Sequence, residues 1–464
     1  MKKSEELFHL IQSLSKSEKR YFKLSAQGSD SAEYLVLFDA IEAQKEYDEQ
    51  EIKTIFKDKA FVNQLTTIKN YLKHRILQSL RNYHAKISKN TELLDILRNV
   101  EILFHKGQYT ICDSELKRAE KKAKSFQQDT LLFHIQDWKR KVYQALNPQD
   151  FETLRTIILE QKTTLKSTNE YIDLLLANID PTQFSLSHKK SGSLQNKTLK
   201  TLHKYRKLLL SKDPEKARRT LEDLIKEWEQ YPEMLHEFFP MYFSVCNNLL
   251  GFLVFRKEYK KAFVRILLIK QKASQVTTTS ASLIKEKLRL YNIELEIHRN
   301  LKELHTTHEV IQEIQEFMTQ HATLIPNNYR LSFSYQFAAI YFTKNDYKTS
   351  LHWINAILNR QTKKDRKDLI TYTHWLNLLV HYELGNGFTL RYLIDNFKKH
   401  LKKQENIVSY QKILLKFLSK TVECTSQEKR KAFITLKEEL ILNPIPEDVL
   451  GYIDFEDWAI HRKH

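Results

Sequence analysis

The sequence predicts an all-α chain, and three observations carry that expectation. Only 7 Gly and 8 Pro occur in 464 residues, whereas sheet-rich folds need turn residues roughly every 8 to 12 positions. Apolar residues recur at helical spacing almost from end to end. Short polar breaks interrupt the helices at a near-constant interval. The thin spread of glycine also excludes Gly-rich nucleotide loops. Hydrophobic residues make up 41% of the chain and charged residues 28%, enough apolar surface for a real core. The most apolar stretch, Leu249 to Phe255, is far shorter than the ~20 residues of a membrane span, so no membrane association is expected.

Residues 1–88 read as an N-terminal helical domain, with helices near 4–14, 16–26, 31–46, 49–57 and 61–87. Ser15 and Glu18 have capping-box spacing. Leu65, Ile68, Leu72, Ile76, Leu80 and Tyr83 mark one face of a long helix. From residue 89 onward a break pattern repeats. An apolar helix ends in a short polar turn and an aromatic residue opens the next helix. The breaks are Gly107-Gln108-Tyr109, Pro148-Gln149-Asp150-Phe151, Lys257-Glu258-Tyr259, Asn345-Asp346-Tyr347 and Gly385-Asn386-Gly387-Phe388, with a proline version at Asp213-Pro214. Their spacing fits a period of about 43, with one break missing near Asn300 to Leu304, and a fixed period of this size marks a helical solenoid. The five break aromatics are expected to pack. Helical repeats are expected over 89–179 and 198–446, a basic loop insertion over 180–197 and an acidic, aromatic cap over 447–464.

The segment FSYQFAAIYFTKNDYKTSLHWINAIL, Phe333 to Leu358, resembles a tetratricopeptide repeat (TPR). Ala338 stands at the small helix-packing position, Tyr341 at the aromatic position, Tyr347 where the second helix begins and Ser350 at its small position. Cys112 and Ala262 match that last position in two other units. The units diverge from the family by carrying Val100, Val142, Leu250 and Leu379 where the first small residue belongs, and by a period longer than roughly 34. The resemblance implies a right-handed α-solenoid of antiparallel helix pairs whose first helices line a concave groove. It further implies that the residue two positions before the small one points into that groove. These residues are Arg98, Arg140, Asn248, Gln336 and Asn377. Asn and Gln can hold an extended peptide through paired amide bonds, and Arg can clamp a carboxylate. At the N-terminus, LIQSLSKSEKRYFKLSA followed by YLKHRILQSLRNY is similar to the start of uncharacterised helical proteins of bacterial origin, which implies no activity.

The net charge is +18, with 20 Arg among the 75 basic residues. Half of that charge falls between Lys189 and Arg219, which holds eight Lys, three Arg and two acids. A solvated face accounts for such a run. A docking patch for nucleic acid or an acidic protein is the other reading, carried by Lys189, Lys190, Lys200, Lys204, Lys207, Arg218 and Arg219. Cys112, Cys246 and Cys424 form no CxxC, so no disulfide framework or zinc site is expected. His305, His308, Glu309 and His298 share a helical stretch but match no metal motif. No catalytic motif occurs, and no cofactor is expected. With no apolar leader after Lys2 and Lys3, the expected address is cytoplasmic. The sequence therefore favours a helical-repeat scaffold binding a protein or peptide, with nucleic-acid binding as the alternative.

Overall fold

The computed structural model describes residues 5–26, 33–179, 192–210, 213–276, 280–301, 307–359, 366–404 and 407–446, together with 449, 452, 453, 455 and 458. Helix accounts for 84% of them, and no strand occurs among them. None of the described helices is long and apolar enough to cross a membrane. The chain divides into two compact units, Met1–His203 and Lys204–His464.

In the first unit, α1 (Glu6–Ser13), α2 (Lys16–Ala26), α3 (Glu33–Ala43), α4 (Glu49–Ile55) and α5 (Leu65–Tyr83) close around Ile11, Phe38, Ile41, Ile52, Leu72 and Ile76. The expected capping box is present: Ser15 N–H donates to Glu18 Oε2 at 2.6 Å, and Glu18 N–H donates to Ser15 Oγ. A second core follows, around Leu93, Val100, Cys112, Leu116 and Ile135. It joins α6 (Lys89–His105), α7 (Tyr109–Ser125) and α8 (Asp129–Leu146), and α8 packs in turn on α9 (Phe151–Ile179). The next helix, α10 (Leu194–Leu210), starts inside the stretch read as loop. Ser193 caps it through Asn196 N–H, and Leu194 is buried. That serine three residues before a polar Asn was the missed start signal.

The second unit runs through α11 (Pro214–Glu229), α12 (Pro232–Glu237), α13 (Phe239–Phe255), α14 (Tyr259–Ser274), α15 (Ala281–Leu301), α16 (Thr307–Gln320), α17 (Asn327–Thr343), α18 (Tyr347–Leu358), α19 (Lys367–Glu383), α20 (Gly387–Gln404), α21 (Ser409–Thr421) and α22 (Ser426–Leu442). Chain neighbours pack on each other. In addition α13 packs on α15, α15 on α17 and α17 on α19, each skipping one helix. These skipping helices are buried on more than one side, as α13 illustrates with ten buried residues. A helix of that kind needs cover on two sides.

All five sequence breaks are turns between helices. Four share one hydrogen-bond pattern. At the first, Gly107 N–H donates to Phe104 O at 3.0 Å and Gln108 N–H to Leu103 O at 2.9 Å. This closure places its central residue in the left-handed region. The residues there are Gly107, Lys257, Asn345 and Gly385, with φ of 70°, 59°, 61° and 69°. A fifth such turn joins α7 to α8 at Gln127, φ 51°, which no Gly or Pro announces. The packing expectation holds for three break aromatics only. Tyr109, Tyr259 and Tyr347 are half-buried, whereas Phe151 is 71% and Phe388 92% exposed. Phe151 follows a proline turn of different geometry, and Phe388 stands one residue past the tyrosine position.

Candidate binding cleft

The skipping contacts in the second unit set α13, α15 and α17 side by side. Two adjoining cavities, of about 600 and 310 Å³, open over them and share Gly251, Asn292 and Ile293 in their linings. Asn248 lines the first and Gln336 the second. Asn248, Asn292 and Gln336 are evenly stepped along the chain, 44 residues apart. The equal step puts one amide on each successive skipping helix. The sequence reading missed Asn292 because the break that would have indexed it, expected near Asn300 to Leu304, is missing from the pattern. Stepping from Asn248 to Gln336 in two equal parts would have found it.

The amides are held by a polar row. Gln336 Nε2 donates to Asn292 Oδ1 at 2.5 Å, and Asn292 Nδ2 donates to Leu288 O at 2.9 Å. Arg289 donates to Asn248 Oδ1 at 3.2 Å and to Glu286 Oε2 at 2.8 Å. Among the described residues no bond engages Asn248 Nδ2 or Gln336 Oε1. Each arginine of the lining is matched by an acid: Arg289 by Glu286, Arg299 by Glu296 and Arg366 by Asp368. Burial pushes the Asp368 carboxyl up, but hydrogen bonds from Arg366 and Tyr452 outweigh it and hold the group at about 2. The cleft is thus lined by matched charges and free amide atoms. Leu209 and Phe255, 41% and 81% exposed, form an apolar rim.

Gly251 stands apart from the other lining residues. It lies inside α13, its φ is not left-handed, and an added Cβ would meet nothing within 4 Å. Neither turn geometry nor packing calls for glycine there, and glycine in a helix interior costs roughly 1 kcal/mol relative to alanine.

The other residues expected in the groove fall elsewhere. Arg98 is exposed on α6, and Arg140 donates to Asp137 Oδ1 at 2.9 Å on α8. Both belong to the first unit. Asn377 is 5% exposed, in the core around α19, which corrects its placement in a groove. The reason is that α19 is buried on both sides at this level, where Leu376 and Asn377 are 1% and 5% exposed. Gly385 closes the turn, so Gly387 occupies the place of Tyr109, Tyr259 and Tyr347. A Cβ on Gly387 would meet Val422 Cγ1 at 3.0 Å, so a side chain there requires Val422 to give way. Counting back from Phe388 therefore lands one residue late, but the position one residue earlier, Leu376, belongs to the core as well.

The basic stretch is partly neutralised. Lys200 pairs with Glu170, and Arg218 pairs with Glu215 at 2.9 Å and Glu222 at 3.0 Å. Lys204, Lys207 and Arg219 are exposed, with no ion pair among the described residues. Lys189 and Lys190 lie outside the described residues. Of the histidines, His308 hydrogen-bonds to Tyr341 OH at 3.2 Å, His298 is buried against Phe263, and His305 lies outside the described residues. Among the described residues no group of three or more His, Cys, Asp or Glu could hold a metal ion. Burial raises the thiols of Cys112 and Cys246, the latter to about 12, which keeps both protonated. Comparison with known protein families and with curated proteins finds no match to this chain.

Proposed function

We propose that the chain is a TPR-like, right-handed α-solenoid of antiparallel helix pairs, a cytoplasmic scaffold that holds an extended peptide in the cleft over α13, α15 and α17. The skipping contacts and the repeated turn support the repeat reading. So does a contact found in both units: Cys112 Sγ approaches Val100 O at 3.5 Å, and Ser350 Oγ donates to Ala338 O at 2.8 Å. In each case the small residue of the second helix meets the same point of the first, twelve residues back. The amide row supports a peptide because Asn and Gln offer donor and acceptor together, matching a backbone amide. Gly251 carries the reading. A helical glycine with open space over it lets a ligand approach the helix backbone closely.

The test is selection of a random peptide library on the full chain, followed by titration of the enriched peptides against variants. Gly251→Ala should raise stability by about 1 kcal/mol, and Gly251→Leu should abolish peptide binding with the fold intact. Asn292→Ala should weaken it about tenfold. Peptides that bind wild type and Gly251→Leu equally would end this reading. The exposed, unpaired Lys204, Lys207 and Arg219 support a second reading, a nucleic-acid surface. It requires binding to single-stranded DNA or RNA at about 50 mM salt that is lost when these three become Glu.

A further inference from the structure

Resting on the cleft reading above, we infer that the first cavity is a pocket for an aromatic peptide side chain that carries a hydrogen-bond donor, tryptophan or tyrosine. Its walls are largely apolar: Tyr205, Leu209, Phe252, Phe255 and Ile293 line them, from α10, α13 and α15. On α13 the lining residues Asn247, Asn248, Gly251, Phe252 and Phe255 recur at helical spacing, so they form one stripe of the helix. Asn247 is 1% exposed and Phe252 3%, whereas Phe255 is 81% exposed. The stripe thus runs from a buried end to an open rim.

The buried end keeps one polar atom without a partner. Asn247 Nδ2 donates to Glu286 O at 2.9 Å and to Glu286 Oε2 at 2.8 Å. Both partners are acceptors, so the orientation of the amide is fixed and Oδ1 is the atom that remains. Among the described residues nothing donates to it. A buried acceptor without a donor is destabilising, and a ligand that brings the donor relieves it. Gln136, Asn196 and Asn377 also keep an unpartnered amide atom, but they line neither cavity of the cleft. Asn247 differs in belonging to a cavity wall.

The lining chooses among side chains. A volume of about 600 Å³ admits any of them, so chemistry decides. Leu, Ile, Met and Phe would cover the apolar wall and leave Asn247 Oδ1 unpartnered. Asp and Glu would bring acceptors to an acceptor. Among the described lining residues there is no acid, and Glu286 behind them is taken by Arg289. Lys or Arg would therefore bring a charge with no partner. Ser, Thr, Asn and Gln bring a donor with little apolar surface. The indole of Trp and the phenol of Tyr combine a large apolar body with one donor at the edge, which is what an apolar wall with a single buried acceptor requires.

The experiment takes the peptides that a random library yields on the full chain and remakes each with a single replacement, with Kd read by fluorescence anisotropy. The enriched peptides should share a Trp or a Tyr at one position. Replacing that Tyr by Phe, or that Trp by benzothienylalanine, in which sulfur takes the place of the N–H in a ring of the same shape, should weaken binding about tenfold. Which of the two replacements does so tells tyrosine from tryptophan. Asn247→Leu should erase the difference between each pair of peptides. The peptide replacements leave the protein untouched, so they decide the matter even where Asn247→Leu fails to fold. Peptides that are lost on Gly251→Leu yet share no Trp or Tyr, or that bind equally after the donor is removed, would overturn this inference and leave the cleft reading standing. Peptides that bind Gly251→Leu as well as wild type would end both.

Discussion

Helices α9 and α19 pose the same problem and receive different answers. Both carry apolar side chains on two faces. On α19 both faces are covered, and one covering is the chain's own C-terminal segment. Phe455 meets Trp375 edge-on at 5.5 Å, Tyr452 stacks on Tyr372 at 4.2 Å and Trp458 meets Tyr382 at 5.8 Å. The indole of Trp458 also donates to Glu383 Oε1 at 2.8 Å. On α9 the second face stays in solvent, with Ile158, Leu165 and Ile172 45%, 46% and 48% exposed. Two-sided apolar character in a helix therefore does not by itself specify a second neighbour. The sequence carries that neighbour for α19 and leaves α9 without one among the described residues.

The largest effect that tests this contrast is removal of the α19 cover. Phe455 is fully buried, so Phe455→Ala should cost about 3–5 kcal/mol in urea denaturation. Ile172→Ala on α9 should stay within about 0.5 kcal/mol in the same assay. Equal costs at the two sites would dissolve the comparison, because the α9 face would then already be packed.

A second test uses the other covering of α19, helix α20. His374 sits against Phe397 and His400, with ring centroids at 5.5 and 5.0 Å. Burial pushes its pKa down to about 4, and the neighbouring His400 adds to the shift. As pH falls, the unfolded chain takes up this proton near pH 6.5 while the folded chain resists it until about 4. Stability is therefore complete above pH 6.5 and is lost on going down towards 4. Between pH 7 and 5 the loss from this residue should be about 2 kcal/mol at most. His374→Phe should remove that part of the pH dependence. An identical pH profile in the variant would mean that the ring is hydrated in the folded state.

The architecture was legible because its grammar is local. Scarce Gly and Pro, capping residues such as Ser15 and Asp213, and breaks closed by Gly107 or Asn345 are all sequence signals. Three things were not. The turn at Gln127 has left-handed geometry that nothing in its side chain announces. The core placement of Asn377 follows from the two-sided cover of α19, which counting along the chain does not report: its neighbour Leu376 is buried as well. The exposure of Phe151 and Phe388 depends on which neighbours are present, and periodicity does not report neighbours. The cleft was half legible. Asn248 and Gln336 were found by counting back from aromatics, whereas Asn292 needed the third dimension or an even step. Gly251 attracted no notice because a lone glycine reads as noise until its surroundings are seen to be empty.

The smallest effect concerns the turns themselves. Four of the five left-handed closures can be ranked by how well their central residue tolerates positive φ. Glycine pays no steric penalty there, and Asn reduces it through its short polar side chain. Lys257 has neither advantage at φ 59°. Its Cβ crowds the following carbonyl, and the turn persists because two backbone bonds close it: Lys257 N–H donates to Val254 O and Glu258 N–H to Leu253 O, both at 2.8 Å. Lys257→Gly relieves the crowding while giving the unfolded chain more freedom, so the net gain should be modest, about 0.5–1 kcal/mol. Gly385→Ala should cost about 1 kcal/mol, since it introduces the crowding that Lys257 already bears. Urea midpoints of the two variants should move in opposite directions at unchanged slope. A neutral or destabilising Lys257→Gly would mean that the lysine stem packs well enough to offset its backbone strain, and the repeat would then tolerate any residue at its turns.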